Sequence, residues 1–241
     1  MAAPAGGPRA LLLDIEGTTT PLSFVADVLF PYARVRLAGF LARRGADPDV
    51  RADLARLRAE HAADVHAGAS PPPWEGGGEG ALAYLGFLMD RDRKSTGLKA
   101  LQGRIWEEGY RAGELRSTLY EDVPRAFARW RGQGRTLAVY SSGSVQAQKL
   151  LFAHTTAGDL TAHLSAFFDT TTGPKKEAGS YRAVARALGL EAGAVLFLSD
   201  VAAELDAARA AGTDTALCVR EAAAPPSSSH RVIATFDEVC P

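Results

Sequence analysis

At 241 residues, with 46% hydrophobic and 23% charged, the chain has the balance of a soluble globular protein and the length for one buried domain plus a smaller accessory one. A formal net charge of -1 supplies no positive field for nucleic acid or anionic lipid, and no apolar run approaches the roughly 18 to 20 residues of a membrane span. Neither a nucleic-acid nor a membrane partner is expected, and Cys218 and Cys240, which form no C-x-x-C pair, fit a reducing cytoplasm.

Met1 to Pro8 is rich in Ala, Gly and Pro and lacks an apolar core with a basic flank, so it reads as a frayed tail rather than a secretory signal. Ala10 to Leu13 is an apolar run ended by Asp14, with Gly17 and three threonines behind it, the pattern of a buried strand opening into a polar loop. From Phe24 to about Leu115 the periodicity is helical: Val50, Leu54, Leu57 and Val65 share one face, and Leu98, Leu101, Ile105 and Trp106 another, with Ser95 or Thr96 as the cap of the later helix. Gly68 to Gly80, with three consecutive prolines and three consecutive glycines, breaks the helices and reads as a loop.

Beyond Ser117 the period changes. Thr136 to Tyr140, Ala194 to Leu198 and Thr215 to Val219 are short apolar runs separated by helical patterns, which is βαβ alternation. Pro225 to Ser229 reads as a solvated loop before a last strand, Val232 to Phe236. The expected architecture is α/β: a three-layer Rossmann-like core with a parallel sheet, residues 9–22 and 117–241, interrupted by an all-helical insertion, residues 23–116.

Ligands of such sheets collect at the carboxyl ends of the strands, so the residues that follow each strand carry the candidate chemistry. These are Asp14 to Thr20, then Ser141-Ser142-Gly143-Ser144, then Ser199-Asp200 with Glu204 four residues on; between the last two lies Gly173-Pro174-Lys175-Lys176-Glu177. Taken singly each has a bland reading: Asp14 as a turn cap, the serines as turn formers, Lys175 as a solvated lysine, Glu204 as an acid favoured at a helix start. The five histidines form no metal set, and Arg34, Arg36, Arg43 and Arg44 read as a solvated helix face.

In their order of acid, hydroxyl, lysine and acid, these four stretches resemble the motifs of the haloacid dehalogenase superfamily. Further stretches, Leu29-Phe30-Pro31-Tyr32, Asp92-Arg93-Lys94-Ser95, Leu101-Gln102-Gly103 and Gln148-Lys149-Leu150-Leu151-Phe152, narrow the resemblance to the enolase-phosphatase family and extend it over nearly the whole chain. The resemblance implies a phosphatase with Asp14 as nucleophile, forming an aspartyl-phosphate, and one Mg2+ held by Asp14, Asp200 and the main-chain carbonyl of Glu16. It assigns phosphate oxygens to Ser141, Ser142 and the Gly143 amide, and charge balance to Lys175 rather than Lys176. Most of the superfamily carries aspartate as a general acid where this chain has Glu16; the longer side chain disturbs that proton-transfer geometry, so Glu16 is expected to act differently.

The implied reaction is that of an acireductone synthase: enolisation, then dephosphorylation, of the small phosphorylated diketone 2,3-diketo-5-methylthiopentyl-1-phosphate in methionine salvage. The same resemblance implies a cytoplasmic monomer in which the helical insertion is a cap. Two alternatives stay open on the sequence: a generic small-metabolite phosphatase without enolase activity, and a catalytically inactive binding module.

Overall fold

Ala10, Leu11, Leu12 and Leu13 are all buried, and as strand β1 (Ala10–Leu13) they form the middle of a six-stranded sheet. The computed structural model describes residues 6–93, 95–221 and 228–241. Four helices follow β1: α1 (Phe30–Arg44), α2 (Pro48–His66), α3 (Gly78–Asp90) and α4 (Thr96–Arg111). The chain then runs through α5 (Asp122–Gly132), β2 (Thr136–Tyr140), α6 (Val145–Ala153), β3 (Ala166–Phe168), α7 (Ala178–Ala187), β4 (Val195–Ser199), α8 (Ala202–Ala210), β5 (Asp214–Cys218) and β6 (Arg231–Ile233). It divides into two compact units, Met1–Val25 with Arg116–Pro241, and Ala26–Leu115.

In the first unit the strand order is β3-β2-β1-β4-β5-β6 and every pairing is parallel. Such a sheet is covered on both faces, which its alternating side chains make explicit. Leu11 and Leu13 point into a cluster with Val123, Phe127 and Trp130 of α5 and Phe152 of α6. Ala10 and Leu12 point into the opposite one, with Tyr181 and Val184 of α7 and Leu205 of α8. The result is three layers, with the order of strands reversing on either side of β1.

Several expectations shift. β3 is a strand the periodicity misses, because three residues of partial burial carry too little pattern. The last strand stops at Ile233, since Thr235 caps a short 3-10 turn at Phe236–Glu238 through Asp237 N. Residues 1–5 of the amino-terminal segment, 222–227 of the stretch before β6, and Lys94 lie outside the described residues; Pro8 itself is tied down, its carbonyl accepting from Arg135. Among the described residues no helix is long and apolar enough to cross a membrane.

The second unit is helical around a core that includes Leu37, Phe40, Leu57, Tyr84, Leu101 and Ile105. Helix α3 begins at Gly78, inside the segment expected to be loop throughout. Ser95, not Thr96, caps α4, accepting from Leu98 N at 3.0 Å. The buried face of α2 runs Val50, Asp53, Leu57, His61, Asp64, whereas Val65 is 55% exposed. Its polar members are matched: Asp53 takes Arg104 at 2.8 Å, Asp64 takes Tyr84 Oη at 2.8 Å and Arg93 at 2.9 Å, and His61 Nε2 meets Pro72 O at 2.8 Å. The exposed arginines of α1 are paired too, Arg34 with Asp90, Arg36 with Glu114 and both Arg43 and Arg44 with Glu108. Ahead of α1 the turn Phe24–Leu29 is π-helical; Pro31 has no N–H to give and its ring crowds the carbonyl four residues back, which favours a widened turn.

One buried ion pair locks the first unit. Arg220, just past β5, meets Asp122 at the start of α5 at 2.6 Å, with both side chains about as hidden as the core. Burial works against the charge on Asp122, but Arg220 and the Phe236 N–H hold its carboxyl below its ordinary pKa. An acid so shifted stabilises the fold above about pH 4 and loses that contribution as pH falls below it. Arg220→Met, which strands a buried carboxylate, should therefore cost roughly 3–5 kcal/mol in denaturant unfolding at pH 7, and the deficit should shrink toward pH 3. An undiminished gap at pH 3 would show that packing, not charge, is lost.

Candidate active site

The carboxyl ends of β1, β2 and β4 lie side by side, because Leu13 is in register with Val139 and with Leu198. Asp14 therefore emerges at the centre, Ser141 on one side and Ser199-Asp200 on the other. Asp14 is 4% exposed and its own N–H donates to Leu198 O at 3.0 Å. The chain then turns sharply: the N–H groups of Thr18, Thr19 and Thr20 all converge on Ile15 O. Gly17 makes that turn at φ +68°, where a Cβ would come within 2.2 Å of Asp200 Oδ2, so a larger residue is excluded by both strain and space.

Lys175 comes from the loop after β3. Its Nζ lies 2.7 Å from Asp14 Oδ1 and 2.5 Å from Glu204 Oε2, with the side chain 8% exposed. Burial alone would lower the lysine's pKa, but the two carboxylates outweigh it and hold the ammonium above its ordinary value. Three side chains hold the loop by its carbonyls: Tyr140 Oη donates to Gly173 O, Ser180 Oγ to Pro174 O and Tyr181 Oη to Lys175 O, at 2.7, 2.8 and 2.7 Å. Lys176, by contrast, is exposed.

Ser199 sits between the acids, its hydroxyl 2.9 Å from Asp14 Oδ2 and 3.3 Å from Glu204 Oε2. Asp200 donates its backbone N–H to Thr18 Oγ1 at 3.1 Å, which fastens the end of β4 to the Asp14 loop. Thr18 is held from the other side by Arg220, whose Nε and Nη2 donate to Thr18 O at 3.0 and 2.8 Å. Burial, reinforced by the charge on Asp14, pushes the Asp200 carboxyl up to about 6. The same two causes push Glu204 up to about 7, against the pull of Lys175.

The balance of charge is uneven. Asp14, Asp200 and Glu204 face one ammonium, and Asp200 Oδ1 is buried with no hydrogen-bond partner among the described residues. Among those residues no three His, Cys, Asp or Glu side chains form a metal cage. An orphaned carboxylate oxygen in a site with surplus negative charge nevertheless fits a hard divalent cation that takes part of its shell from main-chain carbonyl and water. Glu16, half-buried, bridges to Thr20 within the turn.

On the β2 side, Ser141 is buried, its N–H donates to Phe168 O at 3.2 Å and its Oγ accepts from Gly143 N at 3.1 Å. Ser144 caps α6 by accepting from Ala147 N, and Asp169 accepts from Val145 N at 3.2 Å. The Val145 and Ala147 amides at the start of α6 are thus already spent.

A family model for haloacid dehalogenase-like hydrolases matches residues 8–212. The chain is 55% identical to Enolase-phosphatase E1 of Synechococcus elongatus, over 95% of this chain and 96% of that one, and 51% identical to Enolase-phosphatase E1 of Sorangium cellulosum, over 97% of each. The chain belongs to the enolase-phosphatase family of haloacid dehalogenase-like hydrolases. The crystal structure of the UTR4 protein of Saccharomyces cerevisiae matches with a TM-score of 0.79 at 33% identity, covering 96% of this chain and 99% of that one. The L-2-haloacid dehalogenase RSc1362, at 14% identity and a TM-score of 0.55, shares the fold alone.

Within this family member the nucleophile candidate and the lysine meet, whereas Glu204, read as a helix-start acid, turns out to be the lysine's second partner. Its signal was its position, one helical turn beyond Asp200. Ser199 and Thr18 lie in the stretches expected at the strand ends, but their roles are not legible there, since their partners lie far away in sequence. Glu204→Gln removes one of the two charges that hold the ammonium, and phosphate-ester hydrolysis should fall on the order of 10²-fold in kcat/KM. Unchanged hydrolysis in that variant would make Glu204 a bystander.

Proposed function

We propose that this enzyme is an acireductone synthase, which enolises 2,3-diketo-5-methylthiopentyl-1-phosphate and then dephosphorylates it to 1,2-dihydroxy-3-keto-5-methylthiopentene, a step of methionine salvage. The observation that carries the reading is the buried Asp14 carboxylate held 2.7 Å from the Lys175 ammonium at the central strand end. Relatives called Enolase-phosphatase E1, at 47–55% identity over nearly the whole chain, support it.

Asp14 attacks phosphorus in line and takes the phosphoryl group as an aspartyl-phosphate while the P–O bond to the substrate breaks. Water then hydrolyses that acyl phosphate, releasing phosphate and restoring the carboxylate. Lys175 offsets the charge that gathers on Asp14 and the phosphate, and Ser199 keeps the other Asp14 oxygen from turning away. Ser141, Ser142 and the Gly143 amide hold the phosphate oxygens. A Mg2+ ion, held by Asp14, Asp200 and the Glu16 main-chain carbonyl, supplies Lewis acidity toward the phosphate and toward the ketone beside carbon 1. The orphaned Asp200 Oδ1 supports that ligand set.

The reading extends to a cytoplasmic monomer acting on one class of small phosphorylated diketone. Two free cysteines, one of them buried, agree with a reducing compartment.

Supplied with the diketone phosphate, the enzyme should develop the enol absorbance before free phosphate appears. Equal hydrolysis of many unrelated esters without that absorbance would make it a generic phosphatase. Asp14→Asn should lower phosphate release by on the order of 10³-fold or more with the protein still folded, and full turnover by that variant would refute the nucleophile. Removal of divalent metal by a chelator should abolish release and added Mg2+ should restore it; release that persists in the metal-free enzyme would remove the ion from the reading.

A further inference from the structure

Gln148, in the first turn of α6, is 1% exposed and spends its amide on two main-chain carbonyls, Gly143 O and Phe168 O, each 2.8 Å from Nε2. Because both neighbours are acceptors, only one orientation of the side-chain amide is possible. It leaves Oε1 buried and, among the described residues, without a partner. An unpaired interior carbonyl is costly, and a hydrocarbon side chain of the same length would avoid that cost. What a hydrocarbon lacks is the pair of donors.

Those donors act on the two ends of one loop. Phe168 O also accepts from Ser141 N, so Gln148 reinforces the carbonyl that anchors the loop's beginning. Gly143 O is at its far end, and Gly143 is the residue least able to fix its own peptide. The described chain contains no cis peptide, so drawing this carbonyl toward Gln148 turns the Ser144 N–H the opposite way, away from the buried amide. Helix α6 cannot replace this control, since Asp169 and Ser144 already occupy its Val145 and Ala147 amides.

We propose that Gln148 is a positioning residue for phosphate recognition, anchoring the loop at Phe168 O and setting the Gly143–Ser144 peptide plane so that the Ser144 N–H faces the substrate phosphate. The inference rests on the reading that this loop receives the phosphate. It concerns phosphate affinity and leaves the metal ligands, on the other strand ends, untouched.

The test uses the magnesium-loaded enzyme turning over the diketone phosphate, with orthophosphate as competitive inhibitor, and compares the wild type with Gln148→Met and Gln148→Glu. Both variants are near the glutamine in length and neither offers the two donors. The inhibition constant for orthophosphate should rise about tenfold in each folded variant, while the Mg2+ concentration for half-maximal rate stays within about twofold of wild type. An orthophosphate constant equal to wild type, or a metal requirement that shifts by the same factor, overturns the proposal, as does failure of both variants to fold, which would assign Gln148 to the core. If orthophosphate fails to compete even in the wild type, it is the phosphate loop itself that is misassigned.

Discussion

An ammonium buried between two carboxylates, Lys175 between Asp14 and Glu204, is the interaction on which this core depends. A carboxylate that must approach a phosphate ester needs positive charge close by, yet a buried cation is itself expensive unless it is paired. The two acids on Lys175 satisfy the lysine, and the lysine in turn makes tolerable a cluster of three acids in little solvent. Much of the surrounding hydrogen bonding serves this one contact: Tyr140, Ser180 and Tyr181 grip the lysine's loop by its carbonyls rather than by its side chains. Position is thus enforced through the backbone.

The acids are held as firmly as the lysine. Thr18 uses its hydroxyl to hold the Asp200 N–H and its carbonyl to receive Arg220, which is itself fixed by Asp122 and lies over the Phe236 and Tyr120 rings. A path of hydrogen bonds and ion pairs therefore runs from the start of α5 through the end of β5 to the turn carrying Asp14. Charges outside the Lys175 cluster thus fix the turn that carries Asp14, the arrangement expected where a small misplacement of reacting groups would carry a large cost in rate.

Much of this fold is legible along the chain because each buried parallel strand is a short apolar run with a polar end. β1 and β2 are found at their observed limits, and β4 and β5 are displaced by a single residue. β3 escapes notice because Ala166, Phe167 and Phe168 are half-buried and too few to show a period. In α2, apolar periodicity misleads at its end, since the buried stripe continues through His61 and Asp64, polar residues that find partners only in the folded unit. The same reason explains Glu204: spacing places it one turn from Asp200, but nothing local reveals that a lysine from the loop after β3 will reach it. Asp14 is visible as an acid directly after an apolar run, whereas Gln148 and Thr18 depend on partners far along the chain, Phe168 for the one and Asp200 and Arg220 for the other, which leave no local trace.

The position of the helical unit in the chain bears on how the protein is made. β1 leaves the ribosome before both its neighbours, Thr136 to Tyr140 following after the whole insertion and Val195 to Ser199 later still. Until then this hydrophobic strand has open edges and nothing to pair with, while the helices of Ala26–Leu115, which form a compact unit of their own, are complete before β2 is made. Assembly of the sheet must wait for these distant pairings, and until they form the segment leading to Asp14 is an unpaired apolar strand, the kind of edge that invites aggregation.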